Sequence, residues 1–150
     1  MASLFTSTDV DALFNRIHNL QAGARPRWGT MTAASMLLHC RIVTEAILQQ
    51  QPSDRRPQPK QWLLRTLVLN GVVKIPHGRP MPKHIAAQMA EAGDAVFEAE
   101  RIRLHQAIEA FPGFQGRLNG AHPHFGRMSH TDWGRFAWTH LDHHLRQFGV

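Results

Sequence analysis

His140 and His144 lie four residues apart, a spacing that on a helix projects both rings from one face about one turn apart. Two imidazoles so placed can reach a single metal ion. The spacing alone says little, since 11 histidines in 150 residues give roughly one such pair by chance. A third histidine, His39, lies on an apolar stripe with Met36 and Val43. Imidazoles that face a core are costly unless their polar atoms find partners. The residues leave two solutions open: bonds to backbone carbonyls or to each other, or one ion that satisfies all three rings. Asp142 is a candidate to orient a ligand histidine, or equally to pair with Arg146 at i+4. Cys40 follows His39 directly, but adjacent helical residues diverge by about 100°. A buried, inert thiol is therefore expected there rather than a Cys–His catalytic pair.

The elements that must hold these residues are helical. Thr8 to Leu20 carries the stripe Val10, Leu13, Phe14 and Ile17. Thr30 or Thr32 opens a second helix that runs to about Gln50, with Met36, His39/Cys40, Val43 and Ala46/Ile47 inward. Trp62–Leu69 is helical or extended; periodicity cannot decide at that length. A third helix is expected from about Ile85 to Phe111, with Gly93 as a point of interruption. Phe97, Leu104, Ile108 and Phe111 face inward, and Glu98, Glu100, Arg101 and Arg103 lie largely outside. Phe114 to Met128 reads as a loop. Ser129-His130-Thr131-Asp132 has the form of a capping box opening the last helix, to about Phe148. Without convincing strand alternation the expected class is all-α, one helical-bundle domain over 1–150.

Charge and histidine are unevenly spread. The net charge is +6, and residues 51–90 hold seven basic residues against Asp54 alone, with six of the nine prolines. Six histidines fall in the last thirty residues. The single cysteine excludes intramolecular disulfides and cysteine zinc fingers. No charged leader precedes the first helix and no long apolar window appears, so a cytoplasmic chain with no membrane partner is expected.

The segment from Trp28-Gly29-Thr30 to His39 resembles the second-helix motif of the DinB/YfiT-like superfamily. His122-Pro123-His124-Phe125-Gly126, Trp133-Gly134 and His140-Leu141-Asp142-His143-His144 through Gly149 resemble the C-terminal signature of one branch, known as a domain of unknown function. The resemblance implies a DinB-like four-helix bundle, with a short extra helical segment between its second and third helices. It also implies that His39, His140 and His144 are metal ligands, and that the bundle pairs as a homodimer. His124 is expected to cap a helix rather than to approach the metal.

Three neutral imidazoles leave a divalent ion (zinc or nickel first, iron or manganese after) with an open position. There a bound water approaches a pKa of about 7 and a bound thiol is deprotonated. Hydrolysis and thiol transfer both follow from the donor set, and the resemblance favours a low-molecular-weight thiol acting on a small electrophilic substrate. Two other classes stand beside this reading. One is a non-catalytic, metal-binding dimeric bundle. The other is a nucleic-acid-binding protein using Arg55, Arg56, Lys60, Arg65, Lys74, Arg79 and Lys83; dispersed charge among prolines argues against it. Arg27 and Arg146 are candidate clamps for a carboxylate, and Trp28 is a candidate for the mouth of the site.

Overall fold

The computed structural model describes residues 1–54, 56–78 and 80–150; Arg55 and Arg79, two of the basic residues considered for nucleic acid, lie outside that set. The described residues form six α-helices: α1 (Ser7–Asn19), α2 (Ala33–Leu48), α3 (Pro59–Leu69), α4 (Lys83–Ala92), α5 (Phe97–Ala110) and α6 (His130–Gln147). A 3₁₀ turn, Phe111–Phe114, follows α5, and a two-residue hairpin, β1 (Ala121–His122) and β2 (Gly126–Arg127), precedes α6. None of these helices is long and apolar enough to cross a membrane.

Helices α1 and α2 each pack against both α5 and α6, so these four surround one core. Leu13 and Ile17 of α1, Met36, Leu37 and Cys40 of α2, Leu104 and Ile108 of α5, and Trp133, Leu141 and Leu145 of α6 meet there. The apolar spacing of each helix accounts for these contacts. At the start of α6 the capping box forms as the sequence indicates: the Ser129 hydroxyl accepts from the Asp132 amide at 3.2 Å, and the Asp132 carboxylate accepts from the Ser129 amide at 3.1 Å.

Two open readings are settled, at Trp62–Leu69 and Gly93, and two expectations change, at Glu100 and in the loop before α6. Trp62–Leu69 is helical, with Pro59 in the first turn of α3, and α3 packs on α6. The long third helix is two helices. The break comes at Gly93, whose φ of 71° and ψ of −150° belong to a region that side chains avoid. The first of these, α4, lies against α2 and builds a second apolar cluster from Leu38, Ile42 and Ile85. Leu38 and Ile42 are therefore buried although they lie off the main stripe. Glu100 is not on the outside. Its side chain is 5% exposed, and its carboxylate accepts from Arg41 Nε at 2.6 Å and from Arg103 at 2.9 Å. The loop before α6 contains the hairpin, with Ala121 opposite Arg127 and His122 opposite Gly126; two-residue strands are too short to show alternation.

Candidate metal centre

Helix α2 brings His39, and α6 brings His140 and His144, to one place at the core. Each ring offers a nitrogen, and the three atoms lie within 4.8 Å of one another. His39 Nε2 and His140 Nε2 are 3.1 Å apart. Two nitrogens at about 2.05 Å from one ion, at angles of about 90–110°, would be about 2.9–3.4 Å apart. The observed pair falls within that span. His39 Nδ1 is buried with no hydrogen-bond partner, so one nitrogen of that ring meets nothing and the other meets only a second imidazole. The donor set fits a divalent ion better than it fits three self-sufficient core histidines.

The proton on His144 is fixed by a chain of two hydrogen bonds. Gln147 Nε2 donates to the Trp28 carbonyl at 2.6 Å, and Gln147 Oε1 lies 2.9 Å from His144 Nδ1. A carbonyl only accepts, so the amide nitrogen must face Trp28 and the amide oxygen must face the ring. The ring proton therefore sits on Nδ1, and Nε2 keeps its lone pair for a metal. The Trp28-Gly29 turn makes room for this: a Cβ on Gly29, at φ 78°, would lie 2.9 Å from Gln147 Nε2. Gln147 was not singled out in the sequence, although it lies three residues beyond His144 and so shares its face.

Burial holds all three rings neutral. His39 is lowered to about 3 by desolvation, with the neighbouring His144 and His143 adding to it. His144 is lowered to about 4, again chiefly by burial, with the Gln147 hydrogen bond opposing. His140 lies well below the ordinary imidazole value through burial and the charges of His144 and His39. Neutral imidazole is the form that binds metal. His39 and His144 are buried, and His140 is partly buried.

The other candidates sort around this centre. Asp142 does not reach a ligand histidine. It binds Arg16 at 2.8 Å and Arg146 at 3.0 Å, which also removes Arg146 as a free clamp. Trp28 stacks on His77 with ring centroids 3.9 Å apart, and meets His143 edge-on at 5.7 Å. The His143 ring in turn stands 5.1 Å from that of His144. Cys40 is fully buried beside Met36, and burial pushes its thiol far up, as expected of an inert group. His124 caps no helix; it lies in the hairpin turn, and its backbone N–H donates to His122 Nδ1 at 3.2 Å. His122 stacks on Phe125 and lies edge-on to Phe136, whose ring is 6.1 Å from that of His140.

A family model described as a protein of unknown function, DUF1569, matches residues 2–149. The chain belongs to this family. No curated protein and no solved structure matches it. In this DUF1569 chain the Trp28-Gly29 turn, His39 and the His140–Gln147 stretch, far apart in sequence, converge on one cluster.

Proposed function

We propose that the chain is a divalent-metal-dependent enzyme, with His39, His140 and His144 holding the ion. In this reading a low-molecular-weight thiol is transferred to, or used on, a small electrophilic substrate. The observation that carries it is the neutral three-histidine cluster whose His144 is presented in the metal-binding tautomer by Gln147 and the Trp28 carbonyl. A divalent ion held by three neutral imidazoles supplies a strong positive field that turns a bound thiol into thiolate or acidifies a water. The chain's own contribution is to exclude water around the cluster and to fix the His144 proton. Thiol use rather than hydrolysis rests on the resemblance of the Trp28–His39 and His140–Gly149 motifs to the DinB-like superfamily. The same resemblance supports a four-helix DinB-like bundle that pairs as a homodimer.

Untagged protein should carry close to one equivalent of divalent metal by mass spectrometry, and His140→Ala should lose it. Less than about 0.2 equivalents, unchanged by that substitution, would overturn the reading. Metal-loaded protein is then offered a panel of low-molecular-weight thiols with a chlorodinitrobenzene electrophile. Turnover that a chelator abolishes supports the enzyme. Bound metal with no turnover on any thiol points to the non-catalytic metal-binding bundle.

A further inference from the structure

We propose that the cavity between the connector before α3 and the β1–β2 hairpin binds the carboxylate or phosphate group of a small anionic molecule. Its volume is about 500 Å³, and Arg56, Gln58, Gln61, His122 and Arg127 are among its lining residues, with no aspartate or glutamate. Neither Arg56 nor Arg127 forms an ion pair among the described residues. Guanidiniums on a wall without an acidic partner provide the planar, multiple donors that suit an oxyanion.

The walls are held in place rather than loosely apposed. Gln61 accepts from the Gln58 amide at 3.0 Å through Oε1, and its Nε2 donates to the Pro123 carbonyl at 3.3 Å. The Arg65 guanidinium donates to the Arg127 carbonyl. The basic connector is thus fastened to the histidine-rich hairpin. The adjoining cavity, which shares Arg127, shows the contrast: there Asp132 lies among the lining residues, 3.6 Å from Arg65, and its carboxylate opposes an incoming anion. The size also bears on the class of ligand. A volume of this order suits a small metabolite, whereas a nucleic-acid strand needs a track of charge along a surface.

His122 stands on the wall of this cavity, and its ring contacts Phe136, which in turn neighbours His140. An anion seated between Arg56 and Arg127 would therefore lie on the hairpin side of the metal centre. That this anion belongs to the enzyme's substrate rests on the proposed function; the binding itself does not.

The test is calorimetry on metal-free, full-length protein with inorganic phosphate and, separately, with succinate. Saturable binding at one site is expected for at least one of them, and the preferred probe distinguishes phosphate from carboxylate. Arg56→Gln and Arg127→Gln should each weaken it about tenfold or more, while Lys74→Gln leaves it unchanged. Absence of saturable binding by either probe overturns the proposal. So does an equal loss in Lys74→Gln, which would report net charge only, or preferential binding of a DNA duplex over both small anions. Anion binding that survives in a protein shown to hold no metal would keep this proposal while removing the enzyme reading.

Discussion

The side-chain amide of Gln147 has one face that accepts and one that donates, and the structure uses both. Because the Trp28 carbonyl takes the donor, the acceptor is left for His144 Nδ1, and the ring's lone pair is turned to the cluster. Gln147→Ala removes that control without touching a ligand. Metal affinity, measured by competition with a chromophoric chelator, should fall about 10–100-fold. Gln147→Leu should behave alike, since shape without the hydrogen bonds does not set the tautomer. A variant that binds as tightly as the parent would show that His144 needs no such partner. Spacing places Gln147 on the face of His144, but its role could not be read from spacing, because its second bond crosses to a turn 119 residues away.

At the level of the helices, α2 is the element whose environment differs most from its apparent amphipathicity. It packs on α5 and α6 through one face and on α4 through another, so Leu38, Ile42 and the aliphatic part of Arg41 are drawn in. Arg41 meets Glu100 of α5 and Glu45 of its own helix. The two pairs are not equivalent. The Glu100 side chain is 5% exposed and that of Glu45 38%. Arg41→Met would leave Glu100 with only Arg103, which is largely in solvent, and should cost about 3 kcal/mol in urea unfolding. Glu45→Ala should cost under about 0.5 kcal/mol. Equal effects would show that the α2–α5 pair is no more than a surface contact. Glu100 reads as an exposed acid in the sequence because its partner lies 59 residues away, on another helix.

For the whole molecule, the buried histidines couple stability to pH. Folded His39 and His144 titrate near 3 and 4, while unfolded imidazole titrates near 6.5. Between those values the unfolded chain binds more protons, so stability rises with pH. Metal-free protein should be most stable above pH 6.5 and should lose stability as the pH falls through 6.5 toward 4. Each of the two rings contributes up to about 1.4 kcal/mol per pH unit in that window. Urea titrations at pH 7.5, 6 and 5 should show this slope, and His144→Leu should flatten it. Divalent metal acts on the same equilibrium from the other side. At 100 times its dissociation constant it should add about 2.7 kcal/mol, visible as a rise in Tm that a chelator reverses and His140→Ala lacks.

Legible in the sequence is what lies within one or two helical turns: the helices α1, α2 and α6, the Ser129–Asp132 cap, the point of interruption at Gly93, and the shared face of His140 and His144. Hydrophobic period and capping chemistry are local properties, and the chain carries them wherever it goes. The uneven charge and the wealth of histidines were visible too, but not their meaning. That His39 joins the α6 pair was implied by the resemblance and is met by the tertiary arrangement, but the packing alone shows that Gln147 rather than Asp142 orients His144 and that Glu100 is buried. It also decided that the basic, proline-rich connector is fastened to the hairpin around a cavity instead of lying free. These outcomes depend on how each helix is rotated and tilted against its neighbours. Such rotation is set by the packing of all the elements together, and no single element's spacing contains it.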